Sequence, residues 1–281
     1  MSRLAMSRRR AADALRLAVL GLAAAIFLLP FVWMVSFSIK PADEIFTGRL
    51  DLLPSSFEGF LNYARALELR PLHRYLLNGV IVCAAILFFQ ILFAAPCAYA
   101  LAKLRFRGRE LVFGLVLFAL LVPIQVTAIP IFLVFSTAGL LDSYFALVAP
   151  FTASAFAIFL FRQFYRTIPD DLIHAARIDG CSELSIVWRI IVPLTLPAAT
   201  AFAIFSVVAH WNDLFWPLIV IRSPELNTPP LGVMAFRSGE AGDRYGELMA
   251  GSVIITAPLV AAFLLAQRKF IEGISLGAVK G

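Results

Sequence analysis

Six apolar runs, each about long enough to cross a bilayer as a helix, divide this chain: residues 15–39, 77–100, 111–137, 143–161, 198–221 and 248–266. A hydrocarbon core about 30 Å thick needs roughly 20 residues of helix. Backbone in lipid must satisfy its own hydrogen bonds, which leaves helices or a closed barrel. The runs are continuously apolar and do not alternate at period two, so barrel strands are excluded. With 61% hydrophobic residues, 15% charged residues and a mean hydropathy of +0.87, the chain holds more apolar side chain than one soluble core of 281 residues needs. The predicted fold class is an all-α polytopic membrane protein with six transmembrane helices.

The first run follows Arg8-Arg9-Arg10 and is too long for a signal-peptide core. No small-x-small site closes it, so it reads as an uncleaved first span. Cys83, Cys97 and Cys181 lack metal-ligand spacing and do not suggest a disulfide framework. Placing the N-terminus in the cytoplasm puts 16 of the 24 Lys and Arg residues inside and eight outside. That asymmetry, with six spans, puts both termini in the cytoplasm. The expected organisation is a cytoplasmic N-terminus (1–14), a first transmembrane helix (15–39), an extracytoplasmic loop (40–76), a five-helix core (72–267) with a cytoplasmic loop at 162–197, and a cytoplasmic tail (268–281). The net charge of +6 reflects sidedness in the bilayer. No basic, aromatic-interleaved module supports binding of nucleic acid.

Outside, Phe57, Phe60, Leu61, Ala64 and Leu67 fall on one helical face, predicting a helix that lies on the membrane surface, caps the bundle or serves as a contact element. The loop at 222–247, with Pro224, Pro229 and Pro230, reads as irregular and exposed. Inside, the short linker from Lys103 to Arg109 reads as a basic topology anchor at headgroup depth.

The cytoplasmic stretch from Arg162 to Pro197 is longer than antiparallel helices need. A helix is predicted over 167–180: Thr167 can cap it, Pro169 suits its first turn, and Asp170 and Asp171 face its positive end. Leu172, Ala175, Ala176 and Asp179 form one stripe, with Ile173 and Arg177 beside it. Gly180 can take the left-handed turn and Ser182 can cap a second helix over 183–191, which Pro193 and Pro197 would stop. Small residues on one face would let another protein approach closely.

The segment His174-Ala-Ala-Arg-Ile-Asp-Gly-Cys181, followed by Pro193-x-x-x-Pro197, resembles the "EAA" loop of ABC-importer permeases. Further matches point to the carbohydrate permeases of the maltose and glycerol-phosphate type. These are Arg74-Tyr-Leu-Leu-Asn-Gly79, the segment from Pro123 to Pro130, Arg162-Gln-Phe-Tyr-Arg-Thr-Ile-Pro169, Trp211-Asn-Asp-Leu-Phe-Trp-Pro217 and Leu276-Gly-Ala-Val-Lys-Gly281. The resemblance covers nearly the whole chain and implies the type I ABC importer permease fold in a bacterial inner membrane. It implies that His174, Ala175, Ala176, Asp179 and Gly180 form a coupling helix docked on an ATPase subunit. It implies a tail, with Gly277, Lys280 and Gly281, reaching that interface. The partners implied are a second permease subunit, an ATPase subunit dimer and an extracytoplasmic sugar-binding protein. His174 departs from the family's Glu, and Cys181 from its common Ala. A histidine cannot replace a carboxylate in an ion pair.

Asp213 is the one acidic side chain inside a predicted span, where insertion costs about 2.5 to 3.5 kcal/mol. Asn212 and Asp213 read either as interhelical hydrogen-bonding groups or as part of the sugar path. Gln125 and Thr127, between Pro123 and Pro130, read either as satisfying carbonyls freed by a kink or as lining that path. Trp211 is a candidate for sugar stacking or an interface aromatic. Gln90 reads as interhelical glue. The sequence has no G-x-x-x-x-G-K-[ST], H-E-x-x-H or G-x-S-x-G, so the chain reads as a transport subunit without a cofactor. The alternatives are an ion-coupled secondary transporter, which needs intramembrane charge beyond Asp213, and a structural scaffold.

Overall fold

The computed structural model describes residues 3–45, 51–55, 59–237 and 244–278, all helix, turn and loop. Three uninterrupted stretches are long and apolar enough to cross a membrane: Ala12–Ser38, Leu72–Lys103 and Tyr245–Leu265. Three bent helix pairs qualify when each pair is taken as one span, giving six. The runs at 15–39, 77–100 and 248–266 therefore lie in continuous helices. The runs at 111–137 and 143–161 fall on two of the bent pairs, whereas the third pair, Glu183–Leu194 with Leu196–Trp211, only overlaps the run at 198–221, which is itself interrupted at 212–214; this corrects the reading of all three as single helices.

The chain divides into two compact units. The first comprises residues 1–71 and 233–254. In it, α1 (Arg3–Ser38) starts well before the predicted span, and α2 (Gly59–Leu69) lies in the loop at 40–76. The α2 side chain of Asn62 donates to the carbonyls of Ser38 (3.1 Å) and Lys40 (2.9 Å), and the Ser38 hydroxyl meets Tyr63 at 3.0 Å. The inward face of α2 therefore carries Asn62 and Ala66. The apolar positions Phe60, Leu61 and Leu67 point outward, with Phe60 85% exposed, as a helix resting on a membrane surface would place them. Phe57 lies outside the described residues.

The second unit comprises residues 72–232 and 255–281. Its backbone is α3 (Leu72–Lys103), followed by the bent pair α4 (Arg109–Ala119) and α5 (Ile124–Thr137), which meet at 95°. Pro123, extended at φ −70° and ψ 142°, begins α5, because a proline here removes a donor and disfavours helix before it. α6 (Tyr144–Val148) and a 3-10 turn (Ala149–Phe151) lead into α7 (Ala155–Tyr165), capped by the Ser154 hydroxyl. Alanines 94, 95 and 98 of α3 let α7 approach closely, and Tyr99, Ala157, Phe161 and Tyr165 fill the seam. Arg162 of α7 sits beneath the seam, donating to the Leu101 carbonyl at 3.1 Å and stacking 3.6 Å from the centre of the Phe113 ring.

After α7 come α8 (Asp170–Ile178), α9 (Glu183–Ile186), a π-helical turn (Val187–Ile191) and α10 (Val192–Leu194). Pro193 does not stop this run, because the π turn before it shifts the hydrogen-bond ladder by one residue. The stop comes at Thr195, whose hydroxyl bonds the Ile191 carbonyl at 2.8 Å, and the chain turns by 83° into α11 (Leu196–Trp211). α11 gives way to α12 (Phe215–Val220). The loop read as irregular and exposed holds a 3-10 turn (Pro224–Leu226) and α13 (Pro229–Met234), with Thr228, Pro229 and Gly232 buried. Residues 238–243 of that loop lie outside the described residues. α14 (Tyr245–Ala278) completes the chain and belongs to both units.

Asp142, at the left-handed φ of 54°, latches the α5–α6 turn to the chain after α12. Its carboxylate accepts from the Ser223 hydroxyl, the Ser223 N–H (2.9 Å) and the Arg222 N–H (3.0 Å). The Ser223 hydroxyl and these amides hold its pKa below the ordinary carboxylate value. The latch thus contributes fully above that ordinary value and is lost as pH falls through the depressed one. Asp142→Ala should cost about 1–2 kcal/mol, read as earlier thermal unfolding in detergent. The deficit should shrink in acid, and a deficit independent of pH would show that the carboxylate charge does not carry it.

Candidate functional site

The loop at 162–197 is built as a knob from its own sequence. α8 starts at Asp170, three residues later than predicted, because the Thr167 hydroxyl turns back to the Phe164 carbonyl (2.8 Å) and does not cap. Lys103, at the end of α3, reaches the Ile168 carbonyl and Asp170, both at 2.6 Å. That hydrogen bond and the charge of Lys103 hold the Asp170 carboxyl below its ordinary pKa. α8 ends in a Schellman turn: Gly180 donates to the Arg177 carbonyl and Cys181 to the Ala176 carbonyl, each at 3.0 Å. Gly180 has φ +81°, a conformation that L side chains rarely adopt, and nothing lies within 4 Å of an added Cβ. The Ser182 hydroxyl then caps α9 by accepting from Ser185.

Across the turn, Arg177 grips Glu183 through two bonds (2.8 and 3.2 Å), and Glu183 also accepts from the Tyr99 hydroxyl at 2.6 Å. Hydrogen bonds from Arg177 and Tyr99 hold the Glu183 carboxyl below its ordinary value. This triad ties the knob to α3. Helical spacing could not find it, since the left-handed turn separates Arg177 from Glu183.

Ile173 and Ala176 are buried against α3 and α7, together with Ile186, Val187 and Ile191. Ala176 therefore belongs to the packed face, although the sequence groups it with the outward stripe. Ala175 and Asp179 do face outward, beside Leu172 (46% exposed) and Ile178 (86% exposed). Gly180 is exposed at the tip, and His174 is exposed at the edge of α8 nearest the end of α3.

The remaining candidates lie on two neighbouring elements. Gln125 is exposed in the first turn of α5, and the Thr127 hydroxyl donates to the Ile124 carbonyl at 3.1 Å. Trp211, Asn212 and Asp213 form the break between α11 and α12. Trp211 is buried, its indole N–H donating to the Ile255 carbonyl at 3.0 Å. Asn212 is exposed and bonds the Val208 carbonyl. Asp213, just before α12, accepts from the Trp216 N–H in its first turn at 3.3 Å. Ala128 of α5 and Trp216 and Val220 of α12 share one cluster, which sets the two groups on packed neighbours.

Residues 90–275 match the family described as "binding-protein-dependent transport system inner membrane component". The chain belongs to this family. It is thus a multi-pass inner-membrane permease, not an ATPase. The permease is 34% identical over 258 residues to the arabinooligosaccharides transport system permease protein AraQ of Bacillus subtilis, covering 91% of this chain and 92% of that one. It is 32% identical to the lactose transport system permease protein LacG of Rhizobium radiobacter, covering 97% of this chain and 98% of that one. Its fold matches a chain of a bacterial ABC transporter involved in the import of the acidic polysaccharide alginate, with a TM-score of 0.78 and 26% identity, over 96% of this chain and 99% of that chain.

Of the tail positions, Gly277 lies within α14, while Lys280 and Gly281 lie outside the described residues. One polar cluster of the permease escaped the sequence reading in part. Gln90 of α3 donates to the Phe151 carbonyl (3.0 Å), accepts from Ser206 (2.6 Å) and meets the His210 ring nitrogen at 3.3 Å. Gln90 thus bonds between helices as read, but His210 gave no signal, because a single histidine in an apolar run has no period to reveal it.

Proposed function

We propose that this permease forms half of the translocation pathway of an ATP-driven sugar importer, pairing with a second permease subunit, supplied by an extracytoplasmic sugar-binding protein and driven by a separate ATPase dimer. The observation that carries the reading is the knob. A short helix with Ala175, Ile178 and Asp179 outward and a left-handed glycine at its tip is held to α3 by the Arg177–Glu183–Tyr99 triad. Small and apolar groups on a rigid exposed element suit docking into a cleft on another protein. The buried side of the same helix, Ile173 and Ala176, can carry displacement into the α3–α7 seam. His174 and Gly180 flank the docking face and Ala176 supports it from within. The tail from Gly277, with Lys280 and Gly281, is a second contact with the ATPase.

For the cargo, relatives named for arabinooligosaccharides and lactose support a neutral sugar or oligosaccharide, and one named for sn-glycerol-3-phosphate (34% identity over 205 residues) supports a sugar-phosphate-like ligand less directly. Gln125 and Asn212, the exposed amides, are the proposed path contacts. Thr127, Trp211 and Asp213 shape the kinked elements that carry them.

The test is uptake into proteoliposomes containing the complete complex, with the sugar first identified by thermal shift of the cognate binding protein. Uptake should require ATP and the binding protein. Uptake driven by an ion gradient without the ATPase would return the chain to the secondary-transporter reading.

A further inference from the structure

At the end of α3 a cleft of about 460 Å³ opens between the α3–α4 turn and α8. Its polar lining is Lys103, Arg105, His174 and Arg177 with a single carboxylate, Asp170. The stripe 170, 173, 174 and 177 is the side of α8 that faces this cleft, distinct from the outward positions 175, 178 and 179. Lys103 is paired with Asp170, and Arg177 with Glu183. Arg105 and His174 make no hydrogen bond or ion pair among the described residues. The cleft therefore keeps an excess of positive charge.

Two features say what meets that charge. Lys103 ends a helix long and apolar enough to cross the membrane, which sets the cleft at headgroup depth. Arg105 also lines a second cleft with Phe106, Arg109, Leu111 and Glu110, whose carboxylate is paired with Arg109 and Arg162. That cleft leads onto the exposed apolar face of α4, where Leu111 is 71% and Leu115 59% exposed. A cationic recess that shares Arg105 with a cleft beside an exposed apolar strip fits a molecule with an anionic head and apolar tails.

We propose that this cleft binds the phosphate of an anionic phospholipid through Arg105, with the acyl chains laid along Phe106, Leu111 and Leu115. One lipid then braces the α3–α4 turn against α8. The bond is charge-assisted and its geometry is fixed by the short turn, whereas a free anion would leave the apolar strip uncovered. The proposal needs only that α3 cross the bilayer, so it stands or falls separately from the docking of α8 on an ATPase.

The test is native mass spectrometry of the purified transporter complex after passage through nanodiscs of equal parts phosphatidylglycerol and phosphatidylcholine. The wild type should retain phosphatidylglycerol selectively. Arg105→Gln should retain about fivefold less, the factor for losing one cation beside an anionic headgroup. Arg107→Gln removes the same charge from the same turn but lines neither cleft, and should behave as wild type. Equal losses in both variants would overturn the proposal, since charge at large would then suffice. So would unchanged retention in Arg105→Gln. If millimolar inorganic phosphate raises the melting temperature of the wild type but not of Arg105→Gln, while lipid retention is the same, the ligand is a free anion and the lipid assignment fails. If Arg105→Gln releases the ATPase yet keeps its lipid, the cleft faces an acidic protein surface and the assignment also fails.

Discussion

Gly180→Val should cut ATP-driven uptake by this permease at least about tenfold while the complex still assembles. The cost is conformational. No atom lies within 4 Å of a Cβ added at Gly180, so the added Cβ meets no neighbour, but φ +81° is a left-handed conformation. That conformation costs an ordinary L-residue about 1–2 kcal/mol and a β-branched one more. The chain relieves the strain by unwinding the Schellman turn, which frees the Gly180 and Cys181 amides and lets Arg177 and Glu183 separate. The knob then no longer moves as one body with α3. A series at this position separates turn geometry from mere bulk. Asn tolerates the left-handed region and should keep most of the activity, Ala should fall between, and Val should lose at least about tenfold, equivalent to 1.4 kcal/mol. Uptake and stimulated ATP hydrolysis, measured in the same proteoliposomes, give the readout. If Asn fails as completely as Val, the docking cleft excludes side chains and the turn is not the cause. If Val transports normally, the coupling role of the turn is lost.

The knob was legible because its punctuation is local. A glycine, then a serine two residues on, marks one helix ending and another starting whatever surrounds them. The spans were legible because length and hydropathy are set by the bilayer. What escaped the sequence depends on which neighbour covers which face. In a soluble helix the apolar stripe points inward, but in this chain apolar residues face lipid, other helices or a partner with equal ease. The outward turn of Phe60 and Leu67, and the inward turn of Ala176, follow from that ambiguity. The breaks at residues 120–123 and 212–214 escaped for a different reason. Pro123 announced a bend but not its 95° size, and at the α11–α12 break Asp213 accepts a backbone N–H from the next helix, a role that reads on paper as a charge in the membrane.

The segment Arg74-Tyr-Leu-Leu-Asn-Gly79, which carried part of the family resemblance, leads to the second large effect. Its residues form a seat for the chain that follows α12. Asn78 donates to the carbonyls of Glu225 and Asn227, each at 2.9 Å, and accepts from the Tyr144 hydroxyl at 2.6 Å. Gly79 lies under Pro229: an added Cβ would come within 2.6 Å of its Cγ and 3.2 Å of the Trp211 ring. Gly232 lies against Tyr75 so closely that an added Cβ would overlap the ring. Tyr75 is fully buried and Pro229 is a rigid ring, so neither can swing aside. Gly79→Ala and Gly232→Ala should each destabilise the permease by about 1–3 kcal/mol through overpacking, seen as a fall in melting temperature in detergent. Both changes lift the same short segment off α3, so the double variant should lose less than the sum of the singles. Gly114→Ala is the control: its Cβ meets nothing within 4 Å on an exposed face of α4, and alanine favours helix, so it should be neutral or slightly stabilising. If Gly79→Ala and Gly232→Ala melt with the wild type while Gly114→Ala behaves as expected, the segment at 225–232 is not seated on α3. The motif would then be retained for some purpose other than close packing.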